Sequence, residues 1–109
     1  MNDLKILTDK LIAFRDARDW EQFHNPKDLA LAISVEAGEL LELYLWKKPE
    51  EANKERVKEE LADILSFALL LAEKYDFDIK QIVLEKIAAN DLKYPVEKAK
   101  GTAKKYTEL

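Results

Sequence analysis

The sequence predicts an all-α protein, an antiparallel four-helix bundle, on three observations. Glycine and proline are scarce, two and three in 109 residues, so little of the chain is given to turns. Apolar residues recur at steps of three and four, with no useful stretch of strand-like alternation. The breaks between periodic segments are short, which favours antiparallel neighbours. The length suits one small domain spanning residues 1–109.

The first helical segment is expected from about Asp3 to Phe23, where Leu4, Leu7, Leu11, Phe14 and Ala17 follow the helical period. The second opens at Pro26, with Asn25 as N-cap and proline at the favoured first position, and runs to about Trp46. Pro49 enforces the break after it. The third begins at Pro49 or at Asn53 and reaches about Tyr75. The fourth follows Asp78, an N-cap, and runs from Ile79 to Leu92 or Lys93. Residues 95–109, with Gly101 and Lys98, Lys100, Lys104 and Lys105, read as a flexible basic tail.

Helix two is apolar around most of its circumference, through Leu29, Leu31, Ile33, Val35, Leu40, Leu41, Leu43 and Leu45. A helix of that kind is buried on more than one side. One bundle of 109 residues cannot easily cover it, so a homo-oligomer is expected, at least a dimer. Helices two and three would then face each other at mid-bundle.

Composition removes several function classes. There is no cysteine, hence no disulfide framework, thiolate metal site or thiol nucleophile. The net charge of −4 argues against nucleic-acid binding, which shows a basic footprint. The N-terminus lacks a basic segment followed by an apolar run, and no run approaches the roughly 20 residues that span a bilayer. A cytoplasmic protein with no membrane partner is the expectation.

The chemistry concentrates in two carboxylate pairs, Glu36 with Glu39 and Glu60 with Asp63. Each has i,i+3 spacing and so shares one helix face. Both sit in apolar segments, Leu29 to Trp46 and Leu61 to Ala72, where an ionised carboxylate is costly unless something positive meets it. Asp63 is a weak helix former in mid-helix, and Gly38 inside helix two marks either tight packing or a ligand-related approach. The pairs read as a site for a hard metal ion, with buried salt bridges or a solvated seam as the alternative. All-oxygen ligation favours Mg²⁺, Mn²⁺ or Ca²⁺. No histidine follows the glutamates at the spacing of di-iron bundles. Mg²⁺ is commonly held by carboxylates together with substrate phosphates, which points to a phosphorylated small molecule.

At these residues the chain resembles the MazG-like, all-α nucleoside triphosphate pyrophosphohydrolases. Glu36-x-x-Glu39 followed by Glu60-x-x-Asp63 matches the family signature. Arg18 to His24 with Asn25-Pro26, Glu36 to Leu43 with Trp46-Lys47, Lys86-x-x-x-Asn90-x-x-Lys93-Tyr94-Pro95, and Lys105 to Leu109 resemble the dCTP pyrophosphatase branch in particular. The likeness runs from about Asp16 onward.

The resemblance implies hydrolysis of a nucleoside triphosphate, dCTP or a modified dCTP, to the monophosphate and pyrophosphate. It implies dependence on Mg²⁺, with Mn²⁺ as a substitute, and a homotetramer built as a dimer of dimers. Glu36, Glu39, Glu60 and Asp63 carry over as metal ligands. Lys86 and Lys93 carry over as groups that counter phosphate charge, with Lys86 in the catalytic set and Asn90 as a hydrogen-bonding partner. Trp20, His24, Trp46 and Phe67 carry over as the base pocket. Phe67 stands where close relatives tend to have tyrosine. That change removes a phenolic hydrogen bond, keeps a stacking surface and loosens the expectation of strict cytosine specificity. The competing readings are a non-catalytic helical oligomerisation module with structural carboxylates, and a hydrolase of the same fold acting on another pyrophosphate-containing metabolite.

Overall fold

The structure, a computed structural model, describes residues 2–109. Five α-helices follow one another: α1 Asp3–Ala17, α2 Pro26–Glu42, α3 Lys54–Lys74, α4 Ile79–Lys93 and the short α5 Val96–Ala99. Single 3₁₀ turns lie at Glu21–Phe23, Pro49–Glu51 and Tyr106–Glu108, and no strand occurs among the described residues. The chain divides into two compact units, Met1–Phe77 and Asp78–Leu109.

Every long helix starts on an Asn or Asp whose side chain accepts a first-turn amide. Asn2 Oδ1 takes the Lys5 N–H at 2.7 Å, Asn25 Oδ1 that of Asp28 at 2.9 Å, and Asp78 Oδ1 that of Gln81 at 3.0 Å. Asn53 takes two, from Glu55 and Arg56, and so places the start of α3 after Asn53 rather than at Pro49.

Two expected helix ends were set too late. The first helix stops at Ala17, six residues before Phe23, because Asp19 takes a left-handed φ of 55°. The Trp20 N–H then reaches the Arg15 carbonyl at 3.1 Å and the Asp19 N–H reaches that of Asp16 at 3.1 Å, a Schellman ending. The second helix ends at Glu42 rather than Trp46, its last turns tightening into i→i+3 bonds from Leu43 and Tyr44. Trp46 itself sits at φ 62°. The third helix repeats the Schellman ending, with Asp76 at φ 57° and the Phe77 N–H on the Ala72 carbonyl at 2.9 Å.

In the first unit α2 and α3 form the principal pair, and α1 lies against α3. The α2–α3 pair is antiparallel: His24, just before α2, meets Phe67 late in α3, whereas Glu36, further along α2, meets Glu60 early in α3. Leu29, Leu43, Leu69, Leu70 and Ala72 are the buried apolar residues. The inward face of α1 carries Leu4, Thr8, Leu11 and Arg15, whereas Leu7 and Phe14, which follow the same helical period, are half exposed. Large apolar residues of α2 and α3, including Leu31, Val35, Leu41, Leu61 and Leu65, are left exposed.

The second unit holds α4, α5 and the terminal segment. Residues 95–109, expected as a tail, contain α5 and the last 3₁₀ turn, and Tyr106 meets Tyr94 edge-on at 6.0 Å. No described helix is long and apolar enough to cross a membrane.

Candidate functional site

The antiparallel pairing of α2 and α3 brings the carboxylates of Glu36, Glu60 and Asp63 together, with one oxygen of each within 4.8 Å of the others. Glu36 projects from α2, and Glu60 and Asp63 project from one face of α3 at i,i+3. Glu39, one turn along α2, lies outside that convergent set but close enough to act on Glu36. Three of the four expected ligands therefore converge, and the fourth stands beside them.

Among the described residues no ion pair joins a cation to this cluster. Glu36 Oε2 and Glu60 Oε2 are both buried without a hydrogen-bond partner. The result is a Glu36 carboxyl pushed up to about 7, first by the Glu60 carboxyl beside it, then by burial, and then by Glu39. A proton on Glu36 relieves the repulsion among these carboxylates. A divalent ion solves the same problem better, because it supplies two positive charges where the proton supplies one. The donor set is all oxygen, fitting a hard cation such as Mg²⁺, and the two orphaned oxygens supply the vacant lone pairs.

A cavity of 390 Å³ adjoins the cluster and shares Asp63 with it. Its walls are Leu11 and Phe14 from α1, Trp20 and His24 from the turn after α1, and Ser66 and Phe67 from α3, with Arg15 and Leu70 behind them. Trp20 meets Phe14 edge-on at 5.9 Å, and His24 meets Phe67 edge-on at 6.4 Å. Burial holds the His24 pKa below the usual histidine value, with Arg15 and Lys74 adding to the effect, so the ring is neutral near pH 7. An apolar aromatic cavity with a few polar groups, opening beside a carboxylate cluster, suits a flat heteroaromatic ring attached to a charged group.

Of the expected base-pocket residues, Trp20, His24 and Phe67 line this cavity and Trp46 does not; Trp46 is fully exposed. Lys86, Asn90 and Lys93 lie on α4 in the second unit, sharing one face at i, i+4 and i+7. There the Lys93 ammonium sits 4.9 Å over the Tyr106 ring. Sequence reasoning missed Leu11, Phe14, Arg15, Ser66 and Leu70. The available signal was the placement of Arg15 four residues after Leu11, on the apolar face of α1.

The sequence profile of the MazG-like family matches residues 31–109. The dCTP pyrophosphatase 1 of Bos taurus is 45% identical over 104 residues, covering 88% of this chain and 62% of the relative. That of Homo sapiens is 41% identical, covering 88% and 61%. A crystal structure of a pyrophosphatase from Archaeoglobus fulgidus superposes with a TM-score of 0.81 at 36% identity, over 87% of this chain and 94% of that one. The chain belongs to the MazG-like family, and it has the all-α fold of that family. It spans about three-fifths of the length of the curated dCTP pyrophosphatases that it matches.

Proposed function

We propose that the protein is a Mg²⁺-dependent nucleoside triphosphate pyrophosphohydrolase that converts dCTP, or a modified dCTP, to the monophosphate and pyrophosphate. The observation that carries this reading is Asp63, which belongs at once to the convergent carboxylates and to the wall of the aromatic cavity. A base in the cavity places its phosphates toward the metal ligands. The relatives named dCTP pyrophosphatase 1 supply the reaction and the base.

In this reading Glu36, Glu60 and Asp63, with Glu39 beside them, hold Mg²⁺, for which Mn²⁺ can substitute. When bound, the ion supplies charge neutralisation on the triphosphate and a water of lowered pKa. Trp20, His24 and Phe67 enclose the base and exclude water from it. Lys86 and Lys93 counter phosphate charge, and Asn90 donates a hydrogen bond; their support is the matching motif on one face of α4. Trp46 is a further substrate contact, its indole fully available. Hydrolysis breaks the bond between the α-phosphorus and its bridging oxygen as water oxygen bonds to that phosphorus, and pyrophosphate leaves.

The protein acts as a homotetramer, a dimer of dimers, which covers the exposed leucines of α2 and α3. It works in the cytoplasm, beside the nucleotide pool. The test is product analysis with Mg²⁺ and a panel of canonical and 5-modified-cytosine nucleotides, with Glu60→Gln alongside. Monophosphate and pyrophosphate, lost with EDTA and in the variant, are expected. No turnover of any nucleotide, with no Mg²⁺-dependent shift in melting, would leave a helical oligomerisation module.

A further inference from the structure

We infer that Arg15 is a positioning residue for the base pocket: it fixes the turn that carries Trp20 and His24, and through them sets nucleobase affinity and selectivity. The inference rests on the cavity being the base pocket, as proposed above. Among the described residues Arg15 is the buried charged side chain, 4% exposed. Its guanidinium faces three carboxylates on three elements. Nε donates to Asp16 Oδ1 at 2.9 Å on α1, Nη2 lies 3.5 Å from Glu21 Oε2 on the turn, and Nη1 lies 3.6 Å from Glu73 Oε2 on α3. Its main-chain carbonyl also accepts the Trp20 N–H at 3.1 Å. The guanidinium thus holds the side chain of Glu21, the neighbour of Trp20, whereas the bond to the Trp20 N–H belongs to the backbone and survives substitution of the side chain. Lys74, at the end of α3, takes the other Glu21 oxygen at 3.2 Å and closes the clamp.

The turn needs such a clamp. Between Ala17 and Pro26 only the 3₁₀ turn Glu21–Phe23 is regular, and Asp19 is held at a positive φ. A stacking wall is useful only if the ring is fixed before the ligand arrives, since ordering it on binding costs affinity. Arg15 itself lines the cavity from behind. Lysine cannot replace it: one ammonium has no planar fork with which to address carboxylates in three directions. The carboxylate cluster lies on α2 and the first half of α3, so loss of the clamp leaves the metal ligands in place.

The test is steady-state kinetics of full-length Arg15→Lys and of Glu21→Gln, a milder variant at an exposed site on the turn, on the same nucleotide panel. The expected result for Arg15→Lys is a KM raised about tenfold, kcat kept within about threefold, and preference among bases flattened. Glu21→Gln should shift KM in the same direction by about threefold. Loss of packing alone would lower the folded fraction, and so kcat, equally for every nucleotide. An unchanged KM and unchanged base preference in both variants, or a fall in kcat alone, overturns the inference. If Arg15→Lys does not fold, Glu21→Gln decides by the same two readouts. Wild-type protein that turns over no nucleotide sinks the pyrophosphohydrolase reading and this inference with it. An active wild type with indifferent variants sinks the inference alone.

Discussion

Glu36 on α2 and Glu60 on α3 each bury one carboxylate oxygen, Oε2, that no donor among the described residues satisfies. Helix propensity and core packing do not require this. Two apolar residues at these positions would avoid the cost of burying like charges. The pair makes physical sense as half of a cation site, and its protonation is the most direct handle on that site.

The Glu36 carboxyl has its pKa raised from 4.5 to about 7. Between those values the folded chain keeps a proton that the unfolded chain has released. Stability of the metal-free protein therefore falls as pH rises across that window. Thermal melts in EDTA should show this slope, and Glu36→Gln should flatten it. An ion bound by the same oxygens displaces the proton, so Mg²⁺ affinity should rise about tenfold per pH unit below 7. Calorimetric titration in buffers of different ionisation enthalpy would count the released proton. A pH-independent affinity would show that Glu36 is not a ligand.

Mg²⁺ binding should also raise the melting temperature. At a hundred times its dissociation constant an ion that binds only the folded state stabilises it by about 2.7 kcal/mol. For a chain of this size each kcal/mol is worth roughly 4–8 °C. Differential scanning fluorimetry with and without Mg²⁺ would read the shift. Glu60→Gln should abolish it while leaving the metal-free melt unchanged or slightly higher, because the variant relieves a like-charge contact.

His24 is the chain's single histidine, so its imidazole signal in NMR is unambiguous. Burial, with the charges of Arg15 and Lys74, holds its pKa below 6.5. As pH falls below 6.5 the unfolded chain takes up a proton before the folded one does, so stability declines with acidification there. The titration midpoint should lie below 6.5, and Lys74→Gln should move it upward. A midpoint at or above the ordinary value would mean that the ring is solvated and that the cavity wall is open.

The starts of α2 and α4 were legible from the capping Asn25 and Asp78, that of α3 only as a choice between Pro49 and Asn53, and the carboxylate face was legible because period and composition fixed it together. The ends of the first two helices were not. A chain with two glycines has to place other residues in the left-handed conformation, and it uses Asp19, Trp46 and Asp76, which carry no such mark in sequence. Trp20, His24 and Phe67 of the cavity were legible only through the resemblance to the family. Arg15 was not, since an arginine in a charged helix reads as solvated until its burial is seen. Gly38 was expected to mark a close approach, yet a Cβ added there would meet nothing of the chain within 4 Å.

Asp76 offers a direct check on the αL endings. Its φ is 57°, and its amide and that of Phe77 close α3. No side-chain hydrogen bond of the kind Asp19 makes with Gln22 anchors it among the described residues. Glycine removes the Cβ strain at the cost of some unfolded-state entropy, for a net gain of about 0.5–1 kcal/mol. Chemical denaturation of Asp76→Gly should show a raised midpoint at unchanged slope, and Asp76→Val should show a lowered one. A lowered midpoint for the glycine variant would mean that the aspartate side chain stabilises the turn.

The exposed faces of α2 and α3 carry the oligomer proposal to a measurement. Leu31, Val35 and Leu41 are 53%, 58% and 62% exposed, and Leu61 and Leu65 are 48% and 54%. Five large apolar residues stand exposed on the two helices that carry the proposed metal ligands, and exposed apolar patches mark interaction surfaces. A second copy of the chain covers them without new chemistry, because a two-fold interface asks each patch only to complement itself. Light scattering should then give a particle of four chain masses. Leu41→Glu, which places a charge in that face away from the carboxylate cluster, should shift it to smaller species and lower the melting temperature. An unshifted mass for Leu41→Glu would remove this face from the interface, and a monomeric wild type would remove the tetramer altogether.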